Sequence, residues 1–372
     1  MKKCLWLSLI LFLPIYHSNA FINQMNDVNG CSYIGIECNP TPNPSPYIWI
    51  SPEEISKLPT NTPDWNYLVS YSEGSVSNST FCDQDSNVNV KVLAKALAVT
   101  RDPSNLDFSS YVSEIRSSVL NLIDYSPPSS CRTLAAGREI GAYVVSAQLV
   151  GFDNQTDETD FKDWLSFILT ADLDGRTLIS THEDRPNNWG THAGFTVMAI
   201  ALYIENEEVF NHAKDVFYGW LGNQSAYNQF EFGDLCWQAD QNNPVGINPL
   251  GSTMFIDGSL QNIDGVLPDD QRRGGCPNNW PPPQENYVYE ALQGALAQAV
   301  VLHRQGFDVW NWEDQALLRA FSWLNDEIDF QAVGDDRWQP YVVNHFYNEN
   351  FPSNNGFQPG KNIGFTEWTL SE

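Results

Sequence analysis

Positive charge is what this chain has least of: 19 Lys and Arg stand against 46 Asp and Glu, for a formal charge of −27. Such acidity argues against nucleic acid or an anionic membrane as partner, since both call for a basic face. It also sits awkwardly with a polyanionic substrate, a tension that only a locally basic cleft resolves. After the first residues, no run is long and apolar enough to span a membrane. The cysteines lack the tight pairs of a zinc site, and no calcium-loop motif is present. No alternating, valine-rich strand pattern recurs, which leaves an all-α class as the expectation.

The amino terminus reads as a secretion signal. Lys2 and Lys3 precede an apolar run from Leu5 to Ile15, and Ser18-Asn19-Ala20 offers a cleavage site after Ala20. Without Lys2 and Lys3 the charge moves from −27 to −29. Of seven cysteines, removing Cys4 leaves six, an even number that in an exported chain suggests up to three disulfides. Cys31 with Cys38 is the pair that proximity defends; spacing does not assign Cys82, Cys131, Cys236 and Cys276. Sequons stand at Asn78, Asn154 and Asn223 and would be used only in a eukaryotic host. The expected organisation is a signal over 1–20, a Pro/Asn-rich arm over 21–87 packed on the body, and one helical domain over 88–372. With 42% hydrophobic residues and 13 Trp, a core of that size can be filled.

Residues 21–65 read as an extended arm, with prolines alternating from Pro40 to Pro46. Apolar spacing of three and four then predicts helices over Val88–Thr100, Leu106–Asp124, Arg132–Val150, Phe161–Ala171 and Val209–Leu221. Further helices are expected over Glu285–Gln305, Trp312–Phe330 and Trp338–Tyr347. Between the two groups, Tyr227 to Pro283 is a Gly/Pro/Asn/Asp-rich loop of the length that is usually functional.

The organising stretch is Arg185 to Ile204. Pro186, Gly190 and two asparagines form a polar loop, and Phe195, Met198, Ala199 and Leu202 continue as a buried helix. A helix beginning near Asn188 places Asn188, His192, Phe195, Ala199 and Leu202 on one face. The plainer reading is an N-cap asparagine and a histidine satisfied by backbone. Arg138 stands in an apolar, small-residue helix, either as a surface salt bridge or as a cleft-lining arginine. Arg272-Arg273 is the only adjacent basic pair after the signal, between Asp269-Asp270 and Gly274-Gly275. A solvated pair neutralised by those aspartates is the plain account; flanking glycines that allow close approach favour binding. Tyr287 heads the buried stripe of the helix that follows, through Ala291, Ala295, Gln298 and Leu302, whereas Tyr289 points to another face.

Five pieces occur in register: Asn187-Asn-Trp-Gly-Thr-His192, Asp264-Gly-Val-Leu-Pro-Asp-Asp-Gln-Arg-Arg273, Tyr287-Val-Tyr-Glu-Ala-Leu-Gln-Gly294, Arg304-Gln-Gly-Phe-Asp-Val-Trp310 and Pro359-Gly-Lys-Asn-Ile-Gly-Phe-Thr-Glu-Trp368. In that order they resemble the alginate-lyase-like polysaccharide lyases, in particular the glucuronan and alginate lyase family numbered thirty-eight. The resemblance runs from about Val88 to the end. It implies an incomplete (α/α) toroid of helical hairpins with long loops over a substrate canyon, and β-elimination on a uronate polymer without a metal or other cofactor. An acidic polysaccharide would be the partner, and the protein a secreted monomer, extracellular or periplasmic.

The chemistry shows why such residues gather. The C5 proton of a uronate is only weakly acidic until the neighbouring carboxylate is neutralised, which an Asn, a protonated His or an Arg can do. A base then takes that proton and an acid protonates the leaving O4; tyrosine serves both roles where cations favour its ionised form. On the resemblance, Asn187, Asn188 and His192 neutralise the carboxylate, Tyr287 is base and acid, and Arg273 holds the carboxylate or assists the tyrosine. Related lyases place the tyrosine four residues before an Ala-Leu pair, as Tyr287 precedes Ala291-Leu292. Where many have histidine after the paired asparagines, this chain has Trp189, and His192 would act from the next turn.

Arg272, Trp189, Arg138, Tyr289, Arg185, Trp280 and His345 complete the substrate-binding candidates, with Arg272 the rival to Arg273 as the inward arginine. Trp237 is a further ring to stack on sugar, and His182 and Asn344 are lesser polar candidates. Two rivals remain. A toroidal glycoside hydrolase would need two opposed carboxylates from among Asp269, Asp270, Glu285 and Glu290. A carbohydrate-binding protein of the same fold would have lost activity.

Overall fold

The computed structural model describes residues 44–353 and 356–370. The signal, the Cys31–Cys38 pairing and residues 21–43 of the arm lie outside the described residues.

The arm is not extended throughout. Ser51 and Thr62 start two helices, α1 (Pro52–Lys57) and α2 (Pro63–Ser72), their hydroxyls accepting the amides of Glu54 and Trp65 at 3.2 Å each. Proline at the first helical position, which reads as a breaker along the sequence, begins a helix here. Ile48, Trp49 and Ile50 are buried, and the backbone around them is held from the body: Gln148 Nε2 donates to Pro46 O and Gln148 Oε1 accepts the Ile48 amide, at 2.9 Å each, and Arg304 Nε donates to Tyr47 O at 3.0 Å.

The body continues with α3 (Val88–Arg101), α4 (Tyr111–Leu120), α5 (Thr133–Val150), α6 (Gln155–Ile168), α7 (Leu178–Asp184), α8 (Asn188–Tyr203) and α9 (Glu207–Leu221). After the long loop come α10 (Pro268–Gln271), α11 (Tyr287–Arg304), α12 (Trp312–Ser322), α13 (Gln339–Tyr347) and α14 (Thr366–Thr369). The protein is mostly helical, in keeping with the all-α class. Within the loop the structure adds an antiparallel hairpin, β1 (Thr253–Ile256) with β2 (Ser259–Asn262). Asp257 and Gly258 both take positive φ, 49° and 79°, as the two-residue turn between twisted strands requires.

Helix α8 is the centre. It is buried on nearly every side and packs against α5, α11, α7, α9 and α6. Packing also passes from α3 to α5, α8, α11, α13 and α14, and from α14 through α2 back to α3. Trp220, Trp237, Trp323, Trp338 and Trp368 are fully buried, so much of the tryptophan content fills the core. Two disulfides tie the loops: Cys82–Cys131 links the approaches to α3 and α5, and Cys236–Cys276 links the two ends of the long loop.

Candidate active site

Three helices bring the candidate residues to one end of the molecule. Gly137 and Gly141 of α5 meet Ala193 and Phe195 of α8 in turn, while Gly294 and Gln298 of α11 meet Thr191 and Gly194. Pairs that ascend together mean that α5, α8 and α11 run in the same direction, with their first turns at one end. Only small residues permit this approach: a Cβ on Gly294 would overlap the backbone of Thr191, and one on Gly137 would lie 2.8 Å from the Ala193 nitrogen. Aligned amino termini present partial positive charge, which favours an anion there even in an acidic protein.

Asn187 caps α8. Its Oδ1 accepts the Trp189 amide at 3.1 Å, and its Nδ2 donates to Asp269 Oδ2 at 2.8 Å. The N-cap reading therefore holds for Asn187, whose amide oxygen and nitrogen each have a partner within the protein. Asn188 differs. Its backbone N–H donates to Asp270 Oδ1 at 3.2 Å, but its side-chain amide is buried without a hydrogen-bond partner among the described residues. His192, one turn on, is also buried, with Nε2 3.8 Å from Glu290 Oε2. Burial pushes its pKa down to about 4, against the opposite pull of Glu290, so the ring is neutral at neutral pH.

Tyr287 and Arg273 form the exposed edge. Tyr287 is 40% exposed at the first position of α11, and the Arg273 guanidinium lies 3.7 Å from its ring centroid. Arg272 is turned away and held by Asp269, with Nε 2.8 Å from Oδ1. Of the arginine pair, the second is therefore the one facing the tyrosine. Tyr289 is fully buried and donates its hydroxyl to Phe330 O at 2.7 Å, and burial raises its pKa further. It is a core residue in this arrangement.

Arg138 is neither on the surface nor lining an open cleft. It is buried in an ion pair with Glu290, whose carboxyl burial would push up but which His192 and Arg138 hold below the ordinary carboxylate range. Sequence reasoning missed this role for Glu290, although its place three residues after Tyr287 sets it on the same side of the helix. Lys361 was missed as well. Its amide donates to Gln293 Oε1 and its carbonyl accepts from Asn89 Nδ2, both at 2.8 Å, setting it beside α11 and α3.

The remaining candidates divide. Trp189 is half-buried, with the Arg185 guanidinium carbon 5.8 Å from its ring centroid, and Trp280 is half-buried against Trp323. Trp237 is core, its indole N–H bonded to Gly275 O at 2.8 Å. His182 braces α7 against its neighbours, its ring nitrogens 3.0 and 3.1 Å from Gly190 O and Ala213 O. Asn344 exchanges hydrogen bonds with the Phe351 backbone. His345 is displaced from the site: with Phe346 it lies by His303, 16 residues beyond Tyr287 on α11. At the helical rise that is about 24 Å along the axis.

Residues 99–228 match the model of the alginate lyase family. The matched stretch carries Arg138, Asn187, Asn188 and His192, and the chain is alginate-lyase-like over it. The match supports a polysaccharide lyase in general, and with it an acidic polysaccharide as substrate. No curated protein matches the chain.

Proposed function

We propose that the protein is a secreted lyase that cleaves a glucuronate- or mannuronate-containing polymer by β-elimination. The observation that carries the reading is the Arg273 guanidinium against the face of Tyr287, exposed where α5, α8 and α11 begin. Tyr287 takes the C5 proton of the uronate at the cleavage point. The C4–O4 bond breaks, a C4=C5 double bond forms, and the tyrosine returns the proton to O4. Arg273 and the positive ends of the helices steady the carboxylate while charge builds on it.

The unpartnered amide of Asn188, with His192 as a neutral hydrogen-bonding group behind it, is the next donor for that carboxylate. Both are buried beneath the surface. Asn187 positions this turn, and Trp189, Arg185 and Trp280 supply flanking rings and charge for neighbouring sugars. The packing that returns from α11 through α13, α14 and α2 to α3 supports an incomplete (α/α) toroid. The two disulfides and the amino-terminal signal support export.

The hydrolase rival is not favoured, because two of its carboxylates, Asp269 and Glu290, are each engaged by an arginine. Ultraviolet absorbance of the protein with glucuronan, alginate and hyaluronan tests the proposal. A rise from the conjugated double bond on one polymer supports lyase chemistry and names the substrate. New reducing ends without that rise favour hydrolysis, and binding with neither signal favours an inactive binder.

A further inference from the structure

The long loop reaches the amino terminus of α8 through one buried carboxylate. Asp269 is 3% exposed and receives three groups from three parts of the chain: Asn187 Nδ2 at 2.8 Å, the Gly233 amide at 2.9 Å, and Arg272 Nε at 2.8 Å. Next to it, buried Asp270 accepts the Asn188 amide at 3.2 Å. Gly233 is part of the fit, since a Cβ there would overlap the Arg272 guanidinium. Arg272 is thus fixed on one side of a short turn, and its neighbour Arg273 falls on the other, over Tyr287. A single substitution at Asp269 would release the α8 cap, the loop at Gly233 and the arginine turn together.

We infer that Asp269 is a positioning residue of the site: by holding Arg272 and Asn187 it sets Arg273 against Tyr287 and the Asn188 turn beside them. Its kinetic consequence rests on the lyase reading; its structural consequence does not. A carboxylate with three donors converging on it keeps its charge under burial, which would raise its pKa, because Arg272, Gly233 and Asn187 together lower it. Asp269→Asn keeps the shape and removes the charge. Gly233→Ala keeps the charge and pushes the Arg272 guanidinium away from it.

The test has two arms. In the first, the folded protein is treated with phenylglyoxal and the modified arginines are mapped by mass spectrometry. Arg273 should react and Arg272 be protected in the unaltered protein, with Arg272 becoming at least about tenfold more reactive in Asp269→Asn and in Gly233→Ala. Equal reactivity of the two arginines before substitution, or unchanged protection of Arg272 after it, overturns the clamp whatever the activity. In the second arm, turnover is followed on the polymer that gives the double-bond signal. Because misplacing reacting groups by an ångström can lower rate by about a hundredfold, both variants should lose kcat by at least about tenfold with KM changed less than about threefold. Asp269→Glu should recover part of the loss. Variants that keep kcat within twofold, or that lose it only in proportion to the folded fraction seen by circular dichroism, overturn the positioning role. Absence of the double-bond signal from the unaltered protein on every uronate polymer counts against the lyase reading alone, and the arginine map still decides the clamp.

Discussion

The guanidinium carbon of Arg273 stands 3.7 Å from the ring centroid of Tyr287, while Tyr289, two residues along the same helix, is sealed in the core with its hydroxyl on Phe330 O. Two tyrosines separated by one valine therefore have opposite fates, one available to a polymer and one not. Tyr287→Phe removes the hydroxyl and leaves the ring under Arg273. Turnover should fall by at least about a hundredfold, the low end of what a positioned acid or base contributes, with polymer affinity within a few-fold. Rates from the ultraviolet assay and affinities from calorimetry would check it; a variant that retains turnover removes Tyr287 as the base.

Arg273 is exposed and Arg272 is tied to Asp269, so the two arginines should separate under substitution. Arg273→Ala should lower kcat/KM by roughly a hundredfold, about 2.7 kcal/mol of transition-state stabilisation. Its urea midpoint should hardly move, because an exposed cation contributes little to folding. Arg273→Lys restores charge without the planar face, and should recover only part of the rate. Equal rates for the Ala variant and the unaltered protein on the cleaved polymer would remove Arg273 from the reaction.

Much of the architecture was legible because helices advertise themselves locally. The apolar spacing in 195–202 places α8, and the small residues of the segments that became α5 and α11 are the ones that let three helices approach. The hairpin was legible in principle, since Asp257-Gly258 is a strong two-residue turn signal, but it was hidden inside a long polar loop. Pairing across the chain was not legible. Nothing in the spacing of Arg138 or Glu290, 152 residues apart, says that they form one buried ion pair. Likewise Asn187 and Asn188 look equivalent along the sequence, and only Asp269 and Asp270 divide them into an engaged amide and an unpartnered one. His345 shows the reverse: named with Tyr287 along the sequence, it sits by the carboxyl end of α11, away from Tyr287 at the other end.

The Arg138–Glu290 pair allows a test of packing against charge. Arg138→Met alone leaves the Glu290 carboxylate with 13% side-chain exposure and no guanidinium, and should destabilise the fold by about 3–5 kcal/mol. Adding Glu290→Leu should recover most of that, since a buried ion pair replaced by apolar groups of similar volume is often neutral. Urea unfolding of Arg138→Met, of Glu290→Leu and of the double variant measures the coupling. Additive effects of the two substitutions would mean that the pair is not an energetic unit.

Stability should also fall as pH rises above neutrality. Burial, with the nearby charge of Asp83, raises Glu139 from 4.5 to about 9, so the folded protein keeps a proton there that the unfolded chain releases. Each such proton lowers stability by about 1.4 kcal/mol per pH unit between the unfolded and folded values. His182 and His192 work in the other direction. Burial holds each at about 4, below the ordinary 6.5, so their contribution is complete above pH 6.5 and is lost as pH falls toward 4. From pH 7 to 9 the histidines are silent, and Glu139 acts in the same sense as buried Asp270 and Asp336, whose pKa values are also raised. The melting temperature should therefore drop across that interval, and Glu139→Gln, which has no proton to lose, should reduce the slope. Parallel curves for the variant and the unaltered protein would show that Glu139 does not titrate there.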